Sequence, residues 1–206
     1  EFRRVLFRSL LAAFRGECVD RAPIWLREGF PIVDGPAGAD DFQRGWQAEP
    51  LYRELYDYVR PHADAILGVG RVPVSRWCAV PRSAVQTDTV KQTPERRVHR
   101  ITVPTPHGEL CQIDEIHRRE NTAWTTKHMV ESRRELEMLM SVPFEVRPGE
   151  IEQLCRRERE ARRKVGERGI ARVGLDSPVY CISGAMPYEM FLELSITDPD
   201  WLHEIC

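Results

Sequence analysis

Apolar residues that recur every three or four positions mark the predicted helices of this chain. Several of these stretches meet residues that suit a helix end. Gly16 and Pro61 each follow one of them, and Ser132 precedes Glu135 by three positions, as in a capping box. Gly169 is the predicted stop of a long charged helix. The predicted helices are 10–15, 51–59, 133–140, 148–168, 188–195 and a last one capped by Asp198.

Short apolar runs and alternating stretches mark the predicted strands. The runs 22–26, 65–69 and 170–175 are typical of buried parallel strands, whereas alternation between about 96 and 113 around a turn predicts a β-hairpin. A further strand is predicted at 122–126, so that an antiparallel insertion covers about 96–130. Alternating strands and helices predict an α/β protein with parallel strands. Such a set makes either a small open sheet or the opening part of a larger barrel.

The segment 27–48 separates the first predicted strand from the next helix and is rich in glycine, proline and aspartate. Loops of this length within a compact domain usually serve as functional lids or are disordered. We therefore expect this segment to be a lid or a disordered connection.

Composition and charge narrow the class of protein. The chain has 206 residues with 30 basic and 32 acidic side chains, a formal net charge of -2 that argues against nucleic acid as the defining partner. No apolar stretch reaches the length of a membrane span, and no signal peptide is evident. The six cysteines form no CxxC pair, which favours reduced thiols in a cytoplasmic protein over a disulfide framework.

Residues 1–9, EFRRVLFRS, match the translation of a common sequencing-library adapter tail, GAG TTC AGA CGT GTG CTC TTC CGA TCT. We therefore expect residues 1–9 to be an artefact and the natural sequence to begin near Leu10. The alternative is a genuine basic start to an amphipathic helix. The chain also stops at Cys206 within a predicted helix, so we expect the natural protein to continue beyond that residue.

Six stretches of the chain are similar, in order, to the motifs of one known family. They are LLAAFRGE at 10–17, VDRAPIW at 19–25, TPHGEL at 105–110, the segment 124–137, the segment 177–191 and TDPDWLHE at 197–204. The series resembles the uroporphyrinogen decarboxylase superfamily, which opens with a helix of the form VLAALRGE and a DRVPVW strand and later has TPLGTL, GPF…MGYEEF and DDPELVHE strings. The six stretches span nearly all of 10–206.

The resemblance implies a (β/α)₈ TIM barrel with its chemistry at the carboxyl ends of the strands. On this interpretation, residues 10–206 are one partial barrel domain, which supplies the first strands and the β-hairpin insertion. The barrel is incomplete, with its remaining strands beyond Cys206. We expect the chain alone to be inactive for that reason.

The family contains decarboxylases and methyltransferases, and the decarboxylase signatures are absent from this chain. The RQAGR motif, whose arginines pair with substrate carboxylates, is replaced by LREGFP at 26–31, where Arg27 is out of register by one position. The FSD string is replaced by Leu-Gly-Val at 67–69. The family tyrosine that follows Pro178 by six positions is replaced by Gly184. These departures favour the methyltransferase branch.

For a methyltransferase of this family, the resemblance implies a small-molecule substrate, a corrinoid protein as partner and a zinc ion that holds a thiolate. The His-x-Cys zinc ligands of the family are expected in the later half of the barrel, beyond Cys206. Two alternatives remain. One is decarboxylation of the uroporphyrinogen type with altered substrate handling, and the other is a ligand-binding barrel without catalytic activity.

Candidate substrate-binding residues follow the first predicted strand. Trp25, Arg27 and Glu28 lie at its carboxyl end, where barrel enzymes build their sites. The competing role for Arg27 is a salt bridge within the loop.

Further candidates follow the other two predicted parallel strands. Gly68 and Gly70 would let the backbone turn tightly or approach a ligand, although ordinary turn geometry explains them equally well. Asp176 follows the third predicted strand and is the candidate catalytic carboxylate. Its alternative role is to cap the next helix or to bind a loop amide.

Overall fold

The computed structural model describes residues 6–19, 21–26, 30–71, 80–145 and 148–206. The predicted mixed α/β class is confirmed, with one parallel and one antiparallel sheet, and these described residues do not close into a barrel. The helices are α1 (Leu6–Arg15), α2 (Pro50–Val59), α3 (Arg133–Met140), α4 (Pro148–Val165), α5 (Pro178–Ser183), α6 (Tyr188–Thr197) and α7 (Pro199–Ile205). The strands are β1 (Ala65–Arg71), β2 (Gln86–Gln92), β3 (Arg96–Thr105), β4 (Gly108–His117), β5 (Ala123–Lys127) and β6 (Gly169–Gly174).

The chain divides into two compact units, each built from two separate stretches. The first unit comprises Glu1–Val72 and Ile151–Gly174, and the second comprises Pro73–Glu150 and Leu175–Cys206. The parallel sheet lies in the first unit and the antiparallel sheet in the second.

The first unit is centred on the parallel pair β1 and β6. Leu67 lies beside Ala171 in this pair, and Gly68 lies beside Arg172. Helix α4 covers one face of the pair, where Leu154 and Ala161 pack against Val69 in a small apolar cluster. The pairing confirms the predicted strands at 65–69 and 170–175.

Gly166, and not the predicted Gly169, lies at the end of α4. The α-helix ends at Val165, and Gly166 has a φ of 55°, the left-handed conformation that glycine adopts at helix ends. A short 3₁₀ turn at Gly166–Arg168 follows. Gly169, the predicted stop, instead begins β6 and touches β1, where an added Cβ would lie 1.7 Å from the carbonyl oxygen of Ala65. Only glycine fits there, because the two backbones approach so closely.

The prediction of a strand at 22–26 is wrong. The backbone there is extended but forms no ladder. Pro23 has no N–H to donate, and the N–H of Ile24 donates to the carboxylate of Asp64 rather than to a neighbouring strand. One backbone bond, from Asp64 N to Ile24 O at 2.7 Å, holds the segment beside the start of β1.

The described part of the long loop, residues 30–48, is folded against α2. Phe30 and Trp46 both pack on the ring of Tyr52, with centroid distances of 5.6 and 4.9 Å. The side chain of Gln47 accepts a hydrogen bond from Ala37 N at 2.8 Å. These contacts hold the described part of the loop against α2, and Ile32 is buried with Ala63 and Ala65 at the start of β1.

The second unit contains a four-stranded antiparallel sheet in the order β2-β3-β4-β5. The predicted hairpin is confirmed as β3 and β4, with Val103 opposite Leu110 and Thr105 opposite Gly108 at the turn. The strand predicted at 122–126 is β5, at 123–127. The edge strand β2 was not predicted, because all seven of its residues are exposed and no apolar alternation marks it.

Helices α3, α5, α6 and α7 pack around the apolar core of the second unit. Ser132 caps α3 as predicted, accepting a hydrogen bond from Glu135 N, and Asp198 caps α7 by accepting one from Trp201 N. Helix α5 was not predicted, because a helix of six residues is too short to show a clear helical periodicity. The largest fully buried side chains of this core are Met129, Leu136, Leu139 and Met186.

Candidate functional site

The carboxyl end of β1 brings together several of the residues singled out from the sequence. Gly68 and Gly70 are both exposed there, and the pairing with β6 is irregular between Gly68 and Arg71. Gly70 has a φ of 107°, which other residues rarely adopt. Gly68 and Gly70 therefore expose backbone that no side chain of their own covers, which permits the close approach of a ligand.

One arginine lies against this glycine from the side of α4. An added Cβ on Gly70 would be 3.7 Å from Nη1 of Arg157 and 4.0 Å from Nη2. Arg157 is half-buried, and its Nε is buried without a hydrogen-bond partner. The sequence alone does not single out Arg157, because charged residues surround it on both sides in the predicted helix 148–168.

A second arginine lies beside Gly68 on the neighbouring strand. Arg172 on β6 is exposed, and its guanidinium carbon lies 5.7 Å from the ring centroid of Trp25, within the range of a cation–π interaction. Trp25 retains 38% of its surface exposed. The structure thus brings Trp25 and Arg172 together near the middle of the parallel pair, where Arg172 lies beside Gly68.

The position of Trp25 depends on a buried carboxylate that was not singled out from the sequence. Asp64 is fully buried and accepts hydrogen bonds from Arg21 Nη2 and from Ile24 N, both at 2.8 Å. It therefore ties the segment that carries Trp25 to the start of β1. A pocket of about 60 Å³ lies along this junction, with Trp25, Pro31 and Asp64 in its lining. No local motif marks Asp64, since its partners lie about 40 positions away in the chain.

The remaining candidates are not part of this arrangement. Arg27 and Glu28 lie outside the described residues. Asp176 is half-buried between β6 and α5 and belongs to the second unit. The alternative prediction that Asp176 caps the next helix is wrong. Ser177 is the cap, since it accepts the hydrogen bond from Tyr180 N at the start of α5.

The described residues hold no group of three or more histidine, cysteine, aspartate or glutamate side chains that could bind a metal ion. The zinc site that the resemblance implies stays a prediction about sequence beyond Cys206. Within the same part of the chain, no helix combines the length and the apolar character needed to cross a lipid bilayer.

The chemistry available around β1 is the binding of an anion or of a flat apolar group. Arg157 and Arg172 each carry a guanidinium that can donate paired hydrogen bonds to carboxylate or phosphate oxygens. They lie on opposite faces of the parallel pair, because Ala171, the neighbour of Arg172, packs towards α4. The ring of Trp25 offers apolar contact. Comparison with known proteins adds no assignment: no family model, no curated protein and no solved structure matches this chain.

Proposed function

We propose that this chain forms the opening part of a (β/α)₈ barrel enzyme of the uroporphyrinogen decarboxylase superfamily. The ordered series of similar stretches between 10 and 204 supports this proposal. So does the parallel pairing of β1 with β6, because neighbouring strands of a barrel run parallel and follow one another around it.

The reaction we propose is methyl transfer to or from a small molecule, with a corrinoid protein as partner. The missing decarboxylase signatures at 26–31 and 67–69 favour this branch of the family. The observation that carries the site is the contact of Trp25 with Arg172 beside Gly68, on the strand whose carboxyl half also holds Gly70. Barrel enzymes bind their substrates at the carboxyl ends of the strands. In this proposal Trp25, Gly68 and Gly70 contact the substrate.

The other proposed residues act from the loops that follow the strands. Arg27 and Glu28, which follow Trp25 and Leu26 in the chain, are the proposed substrate-binding residues of the segment after 26. Asp176 follows β6 and is the proposed catalytic carboxylate, available to exchange a proton with the substrate or to hold a donor group of it.

Decarboxylation of a porphyrinogen-like substrate is the second candidate function. One observation favours it: two arginines lie beside glycines of β1, Arg172 beside Gly68 and Arg157 beside Gly70. They would replace the arginines of the missing RQAGR motif in binding substrate carboxylates.

Binding to the purified chain distinguishes the two candidates, because it does not require a complete catalytic apparatus. The chain is titrated calorimetrically with methylcobalamin and, separately, with uroporphyrin, the stable oxidised form of the decarboxylase substrate. For methyl transfer we expect saturable binding of methylcobalamin that Trp25→Ala weakens by about tenfold, the equivalent of about 1.4 kcal/mol. For decarboxylation we expect saturable binding of uroporphyrin that Arg172→Gln weakens.

Trp124→Ala is the matched control, since Trp124 is exposed and lies in the second unit. It should leave both titrations unchanged. Absence of saturable binding for both compounds would contradict both candidates, and so would equal effects of Trp25→Ala and Trp124→Ala.

A further inference from the structure

Arg157 lies on the buried face of α4, where its neighbours are apolar residues. The helix faces the parallel pair with Leu154, Ala161 and Val165, all buried. Arg157 lies three residues after Leu154 and four before Ala161, which places it on the same face of the helix. Its side chain is half-buried, whereas its neighbour Arg156 is exposed.

The guanidinium of Arg157 has no hydrogen bond or ion pair with any described residue, and its Nε is buried. Two other basic side chains of the helix do have carboxylate partners. Arg162 pairs with Glu158 at 2.9 Å, and Lys164 pairs with Asp34. Exposed arginines need no partner because water solvates them, but a half-buried and unpaired guanidinium is costly to keep.

The residue of β1 that faces this guanidinium has no side chain. Gly70 lies against Nη1 and Nη2 of Arg157 and has a φ of 107°, at the irregular end of β1. Both Nη atoms therefore lie at the exposed carboxyl end of the strand, with no side chain on Gly70 to cover them. A ligand that approaches this end meets the broad donor edge of the guanidinium.

We propose that Arg157 and Gly70 form a subsite for one anionic group, a carboxylate or a phosphate. The planar fork of arginine binds two oxygens of such a group at once. The bound anion would supply the charge and the hydrogen bonds that Arg157 lacks within the described chain. This subsite lies at the strand end to which the proposed function assigns the substrate, and its role in substrate recognition rests on that proposal.

Titration of the full chain with sodium acetate and with inorganic phosphate tests the subsite, with sodium chloride at matched ionic strength as the reference. We expect at least one of the two anions to bind saturably and to raise the melting temperature, because a ligand of the folded state stabilises it. Arg157→Gln should weaken that binding by about tenfold or more and abolish the thermal shift. Arg157→Lys should retain part of the binding, because the charge remains and the fork is lost.

Arg156→Gln is the control, since it removes the same charge from the adjacent, exposed position. It should reduce binding by less than about twofold, the effect of general charge alone. Without added anion, Arg157→Gln should melt at or above the wild-type temperature, because it removes an unpaired half-buried charge. That result also shows that the variant folds.

Binding of phosphate alone would assign a phosphate group to the ligand, and binding of acetate alone a carboxylate. The proposal is overturned if neither anion binds, if Arg157→Gln binds as the wild type does, or if Arg156→Gln loses as much affinity. These outcomes are separate from the corrinoid and porphyrin titrations, which can fail while the anion subsite stands, and the reverse.

Discussion

Removal of the Asp64 carboxylate should destabilise the first unit and release the segment that carries Trp25. Asp64 is fully buried, and its two carboxylate oxygens accept hydrogen bonds from Arg21 Nη2 and from Ile24 N. Asp64→Ala deletes both acceptors without disturbing the backbone bond from residue 64 to Ile24 O. The perturbation is therefore confined to the two side-chain interactions.

The magnitude follows from what each donor loses. The side chain of Arg21 is 30% exposed, so water can partly replace its partner, and the loss of this charged hydrogen bond costs about 1 to 2 kcal/mol. The Ile24 N–H loses its only side-chain acceptor and costs about 1 to 2 kcal/mol more. We expect a total of about 3 kcal/mol, a large part of the roughly 5–15 kcal/mol by which domains are stable.

Urea unfolding of the wild type, Asp64→Ala, Arg21→Ala and the double variant measures this loss and the coupling between the two residues. The coupling should be about 1 kcal/mol or more. Asp57→Ala is the control, because Asp57 is an exposed carboxylate on α2. A loss below about 0.5 kcal/mol for Asp64→Ala, within the range of ordinary surface substitutions, would refute the assignment of Asp64 as the anchor of this segment.

Two further substitutions test the packing of the first unit. Gly169→Ala should destabilise it by about 2 kcal/mol or more, because the added Cβ would collide with the Ala65 carbonyl, while Gly149→Ala meets no atom within 4 Å and serves as the control in the same urea assay. Tyr52→Phe should leave stability unchanged or raise it by about 1 kcal/mol at neutral pH, because the Tyr52 hydroxyl is buried without a partner. Burial, and to a lesser degree Tyr56, raise the pKa of Tyr52 above its ordinary value, so the wild type should lose stability as the pH rises from about 10 through the folded-state pKa, and Tyr52→Phe should lose less. An alkaline unfolding profile identical in Tyr52→Phe and wild type, measured beside the exposed control Tyr58→Phe, would contradict this assignment.

Local chemistry explains which parts of the fold could be predicted. The hairpin of β3 and β4, the cap at Ser132 and the cap at Asp198 were all predicted, because each depends on residues within a few positions of one another. The strand predicted at 22–26 failed for the opposite reason. Its backbone donor at Ile24 is taken by Asp64, a partner that no local pattern reveals.

The same limit applies to the candidate site. Trp25, Gly68 and Gly70 could be proposed from their places at predicted strand ends, but neither arginine beside them could. In the sequence, Arg157 is one of many charged residues on α4, and only the contact of Leu154 and Ala161 with the sheet shows which face of the helix is buried. Arg172 lies within the predicted strand 170–175, and nothing in its local sequence indicates that Trp25 lies beside it.

The first unit combines a buried anchor near the start of β1 with an exposed end of the same strand, where an unpaired guanidinium lowers the free energy of unfolding. Asp64 holds the chain beside the beginning of β1, while Gly70 and Arg157 leave the other end of the strand open and a guanidinium unpaired. A residue that lowers stability in this way is the kind that a protein keeps for binding, since stabilising replacements at such positions usually cost function. An Arg157→Gln variant that is stable but does not bind anions would therefore show that stability and binding conflict at this position, as they do at functional sites.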